Sequence, residues 1–349
     1  METLSIAVIG AGMAGASCAA HLAEAGCRVQ LFDKSRGAGG RMATRRGRDA
    51  SGGAWQMDHG AVGLVFGQGA FAEQAGRWAD DGLMAPWRPR VGRVDQAGEV
   101  SDSGGSDNGC LRSSPLPGHQ PAWVGLPGMS APARALIADL PLCSDWRIGT
   151  IARGSDGGWW VGRSDATEGP FDVVVVALVP VQAAELLVDI LPSVSDYLRR
   201  VPCDPRWTVL RVGGTALSGV CSSFDVLRFD NGPIELAVRN DSRPGRRDSP
   251  GWVLHARREW SRQTLYRRPG WVSAALEAAF AQVGSPGPAF SRAHRWRYGH
   301  PLDPNSPGFL LDSGIGLCGD WLVDGSVEGA WHSGRLLARA VLDQRDLSP

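Results

Sequence analysis

The chain has 349 residues, of which 43% are hydrophobic, and its 36 basic residues balance 36 acidic ones. This length is enough for two domains, and the zero net charge gives no argument for a nucleic acid or an anionic membrane as a partner. The seven cysteines are irregularly spaced without a C-x-x-C pair, which argues against a disulfide framework or a metal site. No apolar run reaches transmembrane length and no signal peptide is recognisable, so we expect a soluble, cytoplasmic protein.

The first 32 residues predict a β–α–β unit. Residues 4–9 form an apolar run typical of a buried strand, and residues 28–32 predict a second strand. Between them, residues 16–25 are small and mostly apolar, and Gly26 is a residue at which such a helix ends. This order predicts a parallel sheet.

Later segments predict two more buried strands, two loops and a final helix. Four consecutive valines within residues 171–179 favour a strand that is buried on both faces, and residues 315–318 predict another short strand. Residues 96–114 and 239–251 are polar and rich in turn-forming residues, so both are predicted loops. Residues 329–342 predict the last helix.

The turn after the first strand carries the pattern G-x-G-x-x-G. Gly10 permits a tight turn, Gly12 lets the backbone approach a pyrophosphate, and Gly15 lets the helix pack on the strand. The N–H groups at the start of the helix favour phosphate, and Asp33 ends the second strand at the position that binds a ribose hydroxyl. The pattern therefore predicts a dinucleotide site. Its predicted contacts in the turn are Gly10, Gly12, Met13, Ala14 and Gly15.

Two further segments favour FAD over NAD. Residues 33–42 are similar to the G-G-R-M segment of amine-oxidase-type flavoproteins, where glycines and an arginine wrap the pyrophosphate. A planar guanidinium suits a buried phosphate. The predicted contacts of this segment are Lys34, Gly39, Gly40, Arg41 and Met42.

Residues 317–330 are similar to the C-terminal flavin motif of the same superfamily. There, an aspartate binds the ribityl chain and the start of the last helix lies at the pyrimidine edge of the flavin, where it stabilises negative charge. No cysteine follows Cys318 in this segment, so we expect the FAD to be non-covalent. The predicted contacts are Gly319, Asp320, Glu328, Gly329 and Ala330.

Seven segments spread along the chain resemble bacterial members of the renalase family. The resemblance, together with tryptophan-rich, strand-like segments, implies an α/β fold with a Rossmann-type FAD-binding domain and a substrate domain on a mostly antiparallel sheet. We assign residues 1–64, 126–180 and 296–349 to the FAD-binding domain and residues 65–125 and 181–295 to the substrate domain. The segments are residues 32–42, 123–130, 204–207, 252–255, 260–263, 293–296 and 318–334.

The same resemblance implies site residues outside the glycine motifs. His255, Trp296 and Trp207 match positions near the flavin face, and Ile148 matches a strand position whose backbone meets the adenine. Taken alone, His255 is more often a structural histidine than a catalytic one, and only the resemblance makes the two equally favoured. Most of the fourteen tryptophans are expected in cores or sheets. No metal ligand set is expected.

Two segments leave the substrate open. Family members continue the D-x-G-A pattern with Gln-Tyr-Phe-Thr, whereas Asp58–Ala61 is followed here by Val62–Val65. His59 within that pattern is consistent with a simple turn residue. The arginines of residues 239–247 suit a nucleotide phosphate, although a solvated loop is the favoured interpretation.

The resemblance implies oxidation of dihydropyridine isomers of NAD(P)H, the 2- or 6-dihydro forms, by hydride transfer to flavin N5. O2 then reoxidises the flavin and is released as H2O2. The donor becomes aromatic on losing hydride, so the protein supplies orientation rather than a base. Two alternatives stay open, an FAD-dependent amine oxidase and a flavin-binding redox sensor without turnover. Amine oxidases place a lysine near N5, whereas Lys34 is the only lysine here and lies in the phosphate-wrapping loop.

Overall fold

The computed structural model describes residues 3–49, 52–102, 121–213, 222–285, 287–301 and 307–347. The strands in this part of the chain are β1 (Ser5–Ile9), β2 (Arg28–Phe32), β3 (Thr44–Arg48), β4 (Ala54–Asp58), β5 (Met84–Trp87), β6 (Val91–Val94), β7 (Val100–Asp102), β8 (Ala122–Gly125), β9 (Leu142–Cys143), β10 (Thr150–Arg153), β11 (Trp159–Arg163), β12 (Ala166–Phe171), β13 (Val173–Val176), β14 (Cys203–Val212), β15 (Val226–Phe229), β16 (Ile234–Arg239), β17 (Gly251–Ala256), β18 (Phe290–Pro301), β19 (Leu310–Asp312) and β20 (Ile315–Leu317). The helices are α1 (Met13–Glu24), α2 (Ala70–Asp80), α3 (Ala131–Leu136), α4 (Pro180–Leu187), α5 (Pro192–Arg200), α6 (Arg258–Gln263), α7 (Pro269–Ala281) and α8 (Val327–Leu347). None of the described helices is both long and apolar enough to cross a membrane.

The chain divides into two compact units. The first unit comprises residues 1–40, 132–203 and 300–349, and the second comprises residues 41–131 and 204–299. These borders differ from the expected ones in where four stretches fall. Residues 41–64, 126–131 and 296–299 belong to the second unit, and α4 and α5 belong to the first because their apolar faces pack in its core.

The first unit is built on a six-stranded sheet in the order β19-β20-β13-β1-β2-β9. β1 pairs in parallel with β2 and β13, β13 pairs in parallel with β20, and only β19 runs antiparallel among these pairs. The predicted parallel β–α–β opening is therefore confirmed. α1 begins at Met13, three residues earlier than predicted, and ends before Gly26, whose φ is 82°. β13 spans only the four valines, because Phe171 ends β12 instead.

α1 and α8 pack directly on each other in this unit. A Cβ atom at Gly334 would overlap the carbonyl oxygen of Ala14, so only glycine permits this separation of the two helices. The hydroxyl of Ser17 also donates a hydrogen bond of 2.8 Å to the carbonyl oxygen of Trp331. Because α1 follows β1 and α8 follows the parallel β20, both helices begin at the same edge of the sheet, where parallel α/β folds bind ligands.

The second unit is built on a seven-stranded sheet in the order β18-β14-β17-β16-β15-β6-β7. β14, β17, β16 and β15 pair antiparallel in turn, and β6 pairs in parallel with β15. The predicted mostly antiparallel second sheet is therefore confirmed. One face of the sheet packs on α7, and we call it the α7 face; the other packs on β4, and we call it the β4 face. The core residues of the α7 face include Trp207, Val209, Trp252, Leu254, Val272, Leu276 and Phe280, and those of the β4 face are Trp55, Met57, Leu210, Val212 and Val253.

Candidate functional site

The glycine turn of the first unit brings two backbone segments unusually close together. Gly40 has a φ of 52°, and a Cβ atom there would lie 3.2 Å from the Cα atom of Gly12. The N–H of Gly39, whose φ is 128°, donates a hydrogen bond of 2.9 Å to the carbonyl oxygen of Ala11. Gly12 precedes α1, and no side chain caps the start of that helix. No side chain covers the start of α1, and glycine backbone lines it, so it is suited to an anion. We call the turn at Gly10–Gly12 with Gly39 and Gly40 the cradle.

Asp33 ties this cradle to the end of β2. Its two carboxylate oxygens accept hydrogen bonds of 2.7 Å from the N–H groups of Ala11 and Ser35. Each carboxylate oxygen keeps a second lone pair, which leaves an acceptor for a ribose hydroxyl. Lys34, in contrast, is exposed to solvent.

Ile148 lies close in the chain to the segment that borders Asp33. The N–H of Trp146 donates a hydrogen bond of 2.9 Å to the carbonyl oxygen of Asp33. Ile148 itself is buried in the core of the first unit, in the connection between β9 and β10. The expectation that it lies on a strand is therefore wrong, because the chain turns at Asp145, whose φ is 54°, and the next strand begins only at Thr150.

The C-terminal motif leads from β20 through a short 3-10 turn to α8. Asp320 begins this turn and is buried, with 5% of its surface exposed. The N–H of Gly319 donates a hydrogen bond of 2.9 Å to the hydroxyl of Ser333, which fixes the turn against α8. The N–H of Gly329 donates one of 2.8 Å to the hydroxyl of Ser326. α8 begins at Val327, so Glu328, Gly329 and Ala330 all form its first turn.

Arg41 and Met42 lie at the start of the second unit, in a 3-10 turn that includes Gly40. The Nη1 atom of Arg41 donates a hydrogen bond of 3.3 Å to the carbonyl oxygen of Gly299. Its own carbonyl oxygen accepts the N–H of Ala61 at 3.0 Å, and a Cβ atom at Gly60 would overlap that oxygen. The G-G-R-M segment and the D-x-G-A segment are therefore held together by backbone contacts.

Strand alternation separates the three substrate residues expected from the sequence. Trp207 and His255 lie on neighbouring strands, with His255 opposite Thr208 in the register of β14 and β17. Trp207 is fully buried on the α7 face, where its Nε1 donates to the carbonyl oxygen of Thr264 at 3.2 Å. His255 is two residues from Val253 and so lies on the β4 face. Trp207 is thus a core residue with no surface to line a cavity.

Trp296 lies on the β4 face, together with His59, which the sequence suggested as a turn residue, and His294, for which it predicted no role. Its Nε1 donates a hydrogen bond of 3.0 Å to the carbonyl oxygen of His59. The ring centroids are 5.0 Å apart for His59 and Trp296, 4.4 Å for His294 and Trp296, and 4.7 Å for the two histidines. On the same strand Arg295 lies over the Trp207 ring, as alternation requires. His59, which suited a turn, is part of an aromatic cluster.

Both clustered histidines are held in the neutral form. Burial, together with the neighbouring His294 and Arg45, lowers the pKa of His59 to about 3. Burial together with Arg45 and Arg292 lowers the pKa of His294 to about 4. At neutral pH these rings are uncharged and present hydrogen-bonding nitrogens without adding positive charge.

A solvated loop was expected at residues 239–251, but two of its arginines are buried. Arg243 and Arg246 are each only 1% exposed, and both lie against the buried carboxylate of Asp58. Burial alone would raise the pKa of Asp58, but the two guanidinium groups, the Thr44 hydroxyl and the Met129 N–H hold it below its usual value. Asp58, the acid that pairs with these arginines, lies more than 180 residues away in sequence, so no local pattern indicates the pairing.

Residues 62–65, where the sequence departs from the renalase pattern, lie in the second unit. Leu64 and Val65 are buried, and Val62 and Gly63 are partly exposed. The N–H of Leu64 donates a hydrogen bond of 2.8 Å to the carbonyl oxygen of Trp123, and the N–H of Trp123 returns one of 2.7 Å. This bridge fixes the backbone of the altered segment.

Comparison with known proteins gives one family model and several solved structures. Residues 8–70 match the model of an NAD(P)-binding Rossmann-like domain. The chain is similar to cyclohexylamine oxidase from Brevibacterium oxydans IH-35A, with a TM-score of 0.72 and 12% identity over 99% of this chain and 100% of that one. The chain has the fold of this oxidase. The predicted α/β fold class is confirmed.

Two further solved structures share the fold over comparable lengths. A protein assigned as a protoporphyrinogen oxidase from Exiguobacterium sp. 255-15 has a TM-score of 0.74 and 11% identity over 99% of this chain and 100% of that one. A wild-type putrescine oxidase bound to putrescine has a TM-score of 0.69 and 13% identity over 98% of this chain and 99% of that one. At these identities the likeness shows the fold alone.

Proposed function

We propose that the chain is an oxidoreductase that binds FAD non-covalently. The observation that carries the proposal is the close approach of Gly12 and Gly40 at the uncapped start of α1, where a Cβ atom on Gly40 would lie 3.2 Å from the Cα atom of Gly12. A close approach of two glycines, beside helix N–H groups that no side chain caps, fits a pyrophosphate. The shared fold with cyclohexylamine oxidase and putrescine oxidase supports an oxidase.

The chain supplies a different kind of contact to each part of FAD. The glycine turn and the first residues of α1 bind the pyrophosphate, and Asp33 accepts a ribose hydroxyl. The buried Asp320 and the first turn of α8 bind the ribityl chain and the flavin edge, where the positive end of a helix stabilises negative charge. Arg41 adds a planar donor for phosphate.

The proposed substrate side is the β4 face of the second unit. When bound, FAD supplies a hydride acceptor that O2 reoxidises. His255 and Trp296 orient the substrate, and the neutral His59 and His294 keep the surrounding face free of added charge. Trp207 has no direct role because it is buried on the opposite face. A substrate that becomes aromatic on losing hydride needs no base, and this favours the 2- and 6-dihydro isomers of NAD(P)H.

An amine oxidase is the second candidate. The fold shared with two amine oxidases favours it. The lysine that amine oxidases place near the flavin has no counterpart here, because Lys34 is the only lysine and lies exposed in the loop after β2 of the first unit. We therefore rank the dihydropyridine substrate first, with O2 as the second partner.

The cofactor assignment is tested by releasing the bound FAD from the protein. The purified protein should be yellow, and acid or heat precipitation should leave FAD in the supernatant. Flavin that remains with the precipitated polypeptide would contradict non-covalent binding. A colourless protein that takes up no FAD during refolding or dialysis would contradict the whole proposal.

A further inference from the structure

One side of the helix α7 packs on the sheet of the second unit, and the other side faces solvent. Val272, Leu276 and Phe280 belong to the core of the α7 face. The opposite side presents residues that are three or four positions apart, which places them in one row along the helix. We call this row the outer stripe; its exposed or partly exposed members are Trp271, Ala274, Ala275, Ala278 and Gln282. The outer stripe is uncharged, because Glu277, the only charged residue of α7, lies beside the row and pairs with Arg211 at 2.7 Å.

The N-terminal end of the outer stripe carries a group of exposed aromatic side chains. The ring of Trp271 stacks on that of Trp260, with centroids 6.0 Å apart and planes 10° apart, and the guanidinium of Arg267 lies 5.0 Å from the centroid of Trp271. Trp271 is still 46% exposed, and Tyr266 is 88% exposed. Only five large hydrophobic side chains are exposed among the described residues, and these two are five positions apart. Aromatic side chains that are already held in one orientation lose little entropy on binding and are typical of protein interfaces.

The C-terminal end of the outer stripe borders a cavity of about 350 Å³. Gln282 and Val283 form the wall on the side of α7, and the turns after β6 and β15 form the rest, with Asp95, Phe229 and Asn231 among their residues. Among the described residues of this wall, Asp95 is the only charged one. The volume lies in the range of pockets that hold small molecules, so the cavity has room for an aromatic side chain.

The two ends of α7 carry opposite charge. Arg267 and Arg268 directly precede the helix and are exposed. The positive end of the helix dipole lies at the same place, and no acidic residue of the first turn offsets it. At the other end, no basic residue of the last turn offsets the negative end of the dipole, and Asp95 adds to it. A second α7 that runs antiparallel would bring the arginines of one copy to the negative end of the other.

We propose that the outer stripe is the contact between two copies of this chain, with the two α7 helices antiparallel across a two-fold axis midway between Trp271 and Gln282. A two-fold contact pairs one patch with itself, so the patch must carry both parts of each complementary pair. The outer stripe does so, because its aromatic, basic end and its acidic, concave end exchange places when the helix is reversed. Tyr266 and Trp271 of one copy lie at the cavity of the other, and the alanines between them let the two helices approach closely.

The test is the association state of the FAD-loaded full chain, measured by sedimentation velocity over a wide range of protein concentrations. The wild-type chain should change from monomer to dimer as the concentration rises. Ala278→Arg and Ala278→Glu each place two like charges near the axis and should each weaken dimer formation by about tenfold or more. An equal mixture of the two variants should recover dimers, because opposite charges then meet. The control Gly76→Arg adds a charge at an exposed position of α2 where nothing lies within 4 Å of the new Cβ atom, and it should leave association unchanged.

A second variant tests the contact without adding a charge to α7. The Tyr266 side chain is 88% exposed, so Tyr266→Ser should leave the Tm unchanged and still weaken dimer formation. A wild-type chain that stays monomeric at every concentration would overturn the proposal, as would a dimer that neither Ala278→Arg nor Tyr266→Ser weakens. A mixture of Ala278→Arg and Ala278→Glu that associates no better than either variant alone would contradict the two-fold arrangement.

Discussion

Trp296 and His59 are joined by a hydrogen bond of 3.0 Å from the indole Nε1 to the backbone carbonyl oxygen. The bond connects β18 to the segment that follows β4, 237 residues away in sequence. Trp207 makes the same kind of bond, at 3.2 Å to the carbonyl oxygen of Thr264, on the opposite face of the sheet. The two tryptophans are therefore a matched pair that differ in the face they occupy.

Replacing each tryptophan by phenylalanine should separate substrate contact from stability. Both Trp296→Phe and Trp207→Phe lose an indole hydrogen bond, and each should lower the free energy of unfolding by about 1–3 kcal/mol because a buried carbonyl is left unpaired. Only Trp296→Phe should also slow flavin reduction by the substrate or raise its apparent Kd. Stopped-flow reduction of both variants checks this, and an equal kinetic effect of Trp207→Phe would contradict the assignment of faces.

Replacing Gly40 by alanine should impair FAD binding. The φ of 52° disfavours a side chain, and the added Cβ would lie 3.2 Å from the Cα of Gly12. We expect Gly40→Ala to be purified with less FAD and to bind it at least tenfold more weakly in titrations of the apoprotein. Gly37→Ala is the control, since nothing lies within 4 Å of its Cβ position. Equal FAD content in the two variants would remove Gly40 from the cradle.

Asp33 should matter both for the shape of the turn and for the ribose. Asp33→Ala removes the acceptor of the Ala11 and Ser35 N–H groups as well as the proposed ribose contact. FAD affinity should fall about 10- to 100-fold, since a hydrogen bond to a charged group contributes about 1.5–3 kcal/mol. Fluorescence titration of the apoprotein measures it. Asp312→Ala, at an exposed residue of β19, is the control. An equal loss of FAD affinity in both variants would argue against a specific role for Asp33.

The two neutral histidines predict that the protein loses stability in mild acid. Both pKa values are lower in the folded chain, about 3 for His59 and about 4 for His294, than the usual value of 6.5. The unfolded chain therefore binds more protons as the pH falls below 6.5, and stability is lost progressively until the folded pKa values are reached. At pH 5.5 the loss for each such histidine is about 1 kcal/mol.

Denaturant unfolding at pH 7.5 and pH 5.5 measures this loss in a range where few carboxylates titrate. His59→Gln and His294→Gln should each reduce the difference in stability between the two pH values. His332→Gln, whose side chain is 40% exposed, is the comparison variant and should leave it nearly unchanged. A wild-type stability that does not change between the two pH values would show that the rings are not held neutral.

Local sequence patterns were sufficient to predict the central parallel strands of the first unit and the helix α1. The valine run predicted β13, and the glycine turn with Gly26 predicted β1, α1 and β2 within three residues. These elements follow from periodicity and turn chemistry, which act over a few residues. The last helix was predicted from Gly329, but the structure begins it at Val327, since Ser326 accepts the N–H of Gly329 at its first turn.

Contacts between distant segments could not be obtained in this way. The burial of Arg243 and Arg246 depends on Asp58, and the His59 cluster depends on β18, both more than 180 residues away. The face of Trp207 depends on the register of β14 with β17, which a single sequence does not specify.

Anaerobic reduction of the bound FAD tests the central claim most directly. The FAD-loaded protein is mixed in a stopped-flow instrument with the 2-dihydro and 6-dihydro isomers of NAD(P)H and with a panel of amines, and flavin absorbance is recorded. The account predicts rapid bleaching by at least one dihydro isomer, slow or no bleaching by the amines, and recovery of the colour with formation of H2O2 when O2 is admitted. Rapid reduction by an amine with none by the isomers would contradict it and favour the amine oxidase, and no reduction by either would favour a flavin-binding sensor.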